Sequence, residues 1–168
     1  MAAHANKGGY DRSHRNRETI KAWLLDAGWR VEEASAGPET VWALVAKLDE
    51  SSIILGQSSR KTDTVVIQAQ LGLRELQDAK IAALPVPDRE SVLWDLRFAL
   101  LHSRVSFAAV DLPLKTISIK RTFYMDDGAR RAELMDHVES IQLAIAAFFW
   151  TLRRRFGESF SDAGFTTN

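Results

Sequence analysis

The residues able to do chemistry are few and scattered. The chain has four histidines, His4, His14, His102 and His137, and no cysteine. Without thiols there is no thiolate nucleophile, no disulfide and no Cys-ligated zinc. Glu133 and His137 stand four residues apart, so on a helix they share a face. One carboxylate and one imidazole leave a metal short of ligands, and the spacing reads as a helical ion pair. No Gly-x-Ser-x-Gly elbow exists for a serine nucleophile. The acidic pairs Glu32-Glu33, Asp49-Glu50 and Asp126-Asp127 fall at turns or element ends. A glycosidase pair needs carboxylates opposed across a cleft, which these positions do not indicate. Lys7-Gly8-Gly9 follows no strand and is not closed by Gly-Lys-Ser/Thr, so it is not a phosphate loop. The expectation is a non-catalytic protein with no metal and no cofactor.

Charge narrows the partners. Lys and Arg together number 22, as do Asp and Glu, leaving a net charge of zero. A nucleic-acid binder usually carries a basic excess, so nucleic acid is not the expected partner. Arg153-Arg154-Arg155 is the strongest charge run, with Arg130-Arg131 some twenty residues upstream. Cations near a helix C-terminus are favoured by the macrodipole, which accounts for the run without a ligand. The longest apolar run, Ile141 to Leu152, is shorter than the roughly 20 residues of a membrane span. Residues 1–16 lack the apolar core of a signal peptide and read as a disordered, mildly basic tail. With no cysteine, a cytoplasmic location is the expectation.

The elements that would position any site follow from periodicity. The chain is 168 residues long, 46% hydrophobic and 26% charged, which suits one globular domain, taken as residues 17–156. Asn16 and Gly28 bracket a helix over Arg17–Ala27, as N-cap and C′ residue, with Ile20, Trp23, Leu24 and Ala27 on one face. Ala36-Gly37-Pro38 is a turn. Val41–Leu48, Ile53–Ser58 and Thr64–Leu71 alternate as strands, and the short turns between them favour an antiparallel meander. Trp42, Leu44, Ala46 and Leu48 share one strand face. A short helix over Leu73–Leu84 stops at Pro85-Val86-Pro87. Asp88 is then the expected N-cap of a helix Arg89–His102, with Leu93, Leu96 and Leu100 on its inner face. Val105–Asp111 and Thr116–Tyr124 read as a second hairpin.

The last helix runs from Asp127 to about Phe156. Leu134, Val138, Ile141, Ile145, Phe148, Leu152 and Phe156 form one narrow stripe. At 1.5 Å per residue this helix is about 45 Å long. Residues 157–168 read as a mobile tail. The fold class expected is α+β: about five antiparallel strands with helices packed on them, in the order helix, three strands, one or two helices, two strands, long helix.

Local patterns add a resemblance. Thr19-Ile20-Lys21-Ala22-Trp23-Leu24 leads to Gly28-Trp29, and Leu84-Pro85-Val86-Pro87 precedes the second main helix. With the element order, these make the chain resemble the type III secretion chaperone-like fold and the related YbjN-like bacterial domains. The resemblance implies a small, dimeric, cytoplasmic, protein-binding domain, with no catalytic residues to carry over.

The apolar surface points the same way. Leu143, Ala146, Ala147 and Trp150 lie opposite the Leu134 stripe, so the last helix is apolar almost all round between Ile141 and Leu152. Phe98 lies near the Asp95 and His102 side of its helix. Leu143, Ala147, Trp150, Trp42 and Phe98 are therefore the candidate interface, for a second copy of the chain or a protein client. The alternative expectation is a small-molecule or catalytic pocket between sheet and helices, lined by Trp23, Trp42, Trp94 and Arg97.

Overall fold

The structure is a computed structural model. It describes residues 7–49, 51–61, 63–157 and 160, with side chains from Arg12 onward. Among the described residues, four helices and six strands follow in the order α1 (Lys7–Asp26), β1 (Arg30–Ala34), β2 (Thr40–Leu48), β3 (Ser51–Ser58), β4 (Thr64–Leu71), α2 (Glu75–Ala82), α3 (Val86–His102), β5 (Ser106–Phe107), β6 (Ile117–Tyr124) and α4 (Arg131–Phe156). The strands form one open antiparallel sheet in the order β1-β2-β3-β4-β6-β5. The α+β class expected from periodicity is the class observed. The extra strand is β1, whose Arg30, Glu32 and Glu33 hide its pairing from a hydrophobicity pattern. The expected strand over Val105–Asp111 shrinks to the two residues of β5, paired with Lys120 and Ile119 of β6.

The chain divides into two compact units. The first holds the chain up to Ile67 together with Thr122–His137. Here α1 lies on β1 and β2. Its inward face is Ser13, Asn16, Ile20 and Leu24, at steps of three, four and four. The helix starts at Lys7, so residues 7–16, expected as tail, extend it, while residues 1–6 lie outside the described residues. Asn16 is accordingly no N-cap but a buried mid-helix residue, and the polar sequence around it gave no apolar period to follow. The other end behaves as its glycine predicts. Gly28 has φ 87°, its N–H donates to Leu25 O, and Trp29 N–H donates to Leu24 O. That pair of bonds is a Schellman cap, which favours a residue free of Cβ strain at C′. It also turns Trp29, rather than the half-buried Trp23, into the core.

Register fixes which strand faces are buried. Leu44 pairs with Leu55 and Ala46 with Ile53, and all four are fully buried. Their neighbours Val45 and Ile54 point to the opposite, half-exposed face. On β1, Glu33 reaches back to Arg17 and Lys21 of α1.

The second unit holds Gln68–Arg121 and the chain from Val138. Pro85-Val86-Pro87 does not form an extended link. Pro85 caps α3, which begins at Val86 with Pro87 in its first turn. A proline there lacks only an N–H that has no helical acceptor in any case. Asp88 is thus the third residue of the helix and not its N-cap. Val92, Leu93, Leu96 and Leu100 form the buried face of α3. The segment before β6 is tied to α2: Leu114 N–H donates to Asp78 Oδ1 at 2.7 Å, and Leu73 N–H donates to Leu114 O at 2.9 Å. Ile141, Ala144, Ile145, Phe148 and Leu152 of α4 are buried, along the stripe expected from periodicity. Phe160 is buried beyond the helix end and stacks on Phe156 at 4.7 Å.

Candidate interaction surface

Besides Leu76 of α2, which stands alone on its helix, two helices of the second unit present several apolar side chains outward. On α3, beyond Val86 at its first position, they are Trp94, Phe98 and Leu101, at steps of four and three. On α4 they are Leu143 and Trp150, seven residues apart. Both spacings return to the same side of a helix. These five side chains are each between 52% and 61% exposed. Burying a large apolar side chain is worth about 1.5–3 kcal/mol relative to leaving it exposed, so a cluster of five is unusual on a surface left to solvent.

An arginine joins the helices. Arg155 Nη1 donates to Asp95 Oδ2 at 2.8 Å and to Ser91 Oγ at 3.1 Å, and Nη2 donates to the Asp88 carbonyl at 3.3 Å. The last residue of the Arg153–Arg155 run therefore has a structural task. Beside this tie lies a groove of about 1010 Å³, lined on the α3 side by Asp95, Phe98, Ala99 and His102. Leu143, Ala147, Trp150 and Arg154 line it on the α4 side.

The groove's polar groups are turned back on the helices. His102 Nδ1 is 2.8 Å from the Phe98 carbonyl. Ser103 Oγ donates to Ala99 O at 2.9 Å, and Thr151 Oγ1 donates to Ala147 O at 2.7 Å. Asp95 is held by Arg155. Each of these groups thus has a partner within the two helices. Arg154 differs. Its guanidinium lies 5.5 Å from the Trp150 ring centre and makes no ion pair among the described residues.

Of the residues expected at an interface, Leu143, Ala147, Trp150 and Phe98 all line this groove. Trp42 does not. It is 5% exposed, and its indole Nε1–H donates to Gln57 Oε1, itself fully buried. Trp42 is a core residue because α1 covers the β2 face that it shares with Leu44 and Ala46. Trp94 and Leu101 escaped the sequence reading as surface anchors, since they border the buried Leu93–Leu100 face. Their steps with Phe98 are the signal that would have found them. The residues expected around a small-molecule pocket do not line the groove either. Arg97 instead lies 4.9 Å from the Trp94 ring centre and donates to Asp111 at 2.7 Å and to Val110 O at 3.0 Å.

Sheet edges offer less. The edge strand β1 has five residues, three of them charged, and β5 has two. Short, charged edges discourage strand addition. Among the described residues, no group of three or more His, Asp or Glu side chains is placed to hold a metal ion. Among the same residues, no helix is long and apolar enough to cross a membrane.

Comparison with solved structures shows that the fold recurs. The chain is similar to the crystal structure of an uncharacterized protein from Methanothermobacter thermautotrophicus, with a TM-score of 0.76 and 24% sequence identity, over 84% of this chain and 99% of that one. At that identity the likeness speaks of fold alone. No curated protein matches the chain. The resemblance to secretion chaperone-like and YbjN-like domains has no counterpart in these matches. Residues 16–152 match a family described as Uncharacterized conserved protein (DUF2299), which takes in α1 and nearly all of α4. The chain belongs to this DUF2299 family of uncharacterized conserved proteins.

Proposed function

We propose that this protein is a non-catalytic protein-binding domain that works as a homodimer, with the α3–α4 face as its binding surface. The observation that carries the reading is the groove itself. Phe98, Leu143 and Trp150 stand outward around it and Trp94 and Leu101 continue the exposed face of α3, while its hydroxyls, imidazole and carboxylate are spent on the helices' own groups. Aromatic anchors with an arginine at their edge are typical of protein interfaces, whereas a small-molecule site needs polar groups that converge. A helix laid along such a groove uses anchors at three- and four-residue spacing, which α3 and α4 both carry. The secretion chaperone-like resemblance agrees with this reading but does not carry it.

The test compares two substitutions of one chemical kind. Trp150→Glu puts a carboxylate at the centre of the face. Leu76→Glu puts one on α2, at a leucine that is 78% exposed and outside the groove. Light scattering after size exclusion should give the mass of one chain for the first variant and of two chains for the second. A wild-type protein that elutes at the mass of one chain overturns the reading, as does a Trp150→Glu variant that stays dimeric.

A further inference from the structure

The outward side of α4 changes character along its length. Glu139 is followed by Leu143, then Ala146 and Ala147, then Trp150 and Arg154. At 100° per residue, Glu139, Leu143, Trp150 and Arg154 fall within about 60° of one another. All four are exposed, and neither Glu139 nor Arg154 makes an ion pair among the described residues. The stripe is thus acidic, apolar and basic in turn, with small residues at its middle.

That order is complementary to itself when reversed. If two copies of α4 run antiparallel about a two-fold axis between Ala146 and Ala147, each residue meets the one equally far beyond the axis. Leu143 then faces Trp150, and Glu139 faces Arg154. Such self-pairing is what a two-fold interface demands, since both sides present one patch. The alternating steps of four and three suit helices that interlock side by side, and two alanines at the crossing allow close approach. A parallel pairing would set Glu139 against Glu139 and Arg154 against Arg154. Like charges brought together repel, and this arrangement is disfavoured.

We propose that the α3–α4 face is filled by a second copy of this chain in antiparallel two-fold pairing of α4, with Leu143 against the partner's Trp150 and Glu139 against the partner's Arg154. The proposal rests on the protein-binding, homodimeric reading above and adds its geometry. The partner's Trp150 enters the groove near Leu143 and Phe98. Two symmetric Glu139–Arg154 pairs at the rim select a second copy over an unrelated apolar helix.

Charge reversal tests the register without touching the core. Glu139→Arg places two arginine pairs at the rim, and Arg154→Glu places two glutamate pairs there. Each variant alone should self-associate about tenfold more weakly than wild type. The double variant Glu139→Arg/Arg154→Glu restores opposite charges at both contacts and should dimerise like wild type. Mixing the two single variants should do the same, because the mixed dimer pairs arginine with arginine nowhere. Sedimentation equilibrium reads all of these, with circular dichroism confirming that each variant keeps its helix content. If Trp150→Glu abolishes the dimer but neither recombination of charges restores the single variants, the register is overturned and the homodimeric reading stands. If wild type shows the mass of one chain, both fall.

Discussion

Two tryptophans take opposite fates, one in the core and one on the surface. Trp42 is drawn into the core, where Gln57 Oε1 receives its indole N–H. Trp150 stands on the surface with Arg154 beside its ring. A buried N–H left without an acceptor costs about 1–3 kcal/mol. Gln57→Leu should therefore lower stability by about that amount, seen as a lower urea midpoint with an unchanged slope. An unchanged midpoint would show that the bond contributes nothing at this site. This is also where the sequence was least legible. Alternation placed Trp42 correctly on the face of Leu44 and Ala46, but it cannot say which face of a strand a helix will cover. By contrast, Leu143, Ala147, Trp150 and Phe98 could be recognised as surface candidates because a helix's two sides are distinguishable when one already has a full apolar stripe.

Elements were read well where their periodicity was strong. In α4 the stripe from Leu134 to Leu152 is buried at every position expected. The β2–β4 strands begin and end within two residues of their expected bounds. Misreadings cluster at helix starts. In α1 the added turns contain Arg12, His14, Arg15 and Asn16, which conceal a helix because the buried contacts there are made by Ser13 and Asn16. In α3, prolines read as a break serve as the first turn. Helix ends are more legible, because a left-handed residue narrows the choice. Gly28 at φ 87° leaves no nearby atom for an added Cβ to strike, so the strain of Gly28→Ala is purely that of the backbone. A left-handed backbone costs an L-residue about 1–2 kcal/mol, and thermal unfolding of Gly28→Ala should show a loss of that order. Wild-type stability in this variant would mean that the chain relaxes into another cap.

At the level of the whole molecule, α4 has two apolar sides: one is filled by the chain's own core, and the other faces outward. The Leu143–Trp150 side and the neighbouring Trp94–Phe98–Leu101 stripe of α3 are the surface on which the functional account depends. Trp150→Glu belongs to this scale because it leaves the core stripe untouched and alters only what the molecule can meet. So do the charge reversals at Glu139 and Arg154, which change the polarity of the face at either end while the apolar centre stays in place. The archaeal structure shares the fold and the family match places the chain among uncharacterized conserved proteins; the reading of its function comes from this surface. The most direct measurement is sedimentation velocity of the unmodified chain over a concentration series from the nanomolar to the high micromolar range. The account predicts a boundary that shifts from the mass of one chain to that of two as concentration rises. A single boundary at the mass of one chain throughout would contradict it.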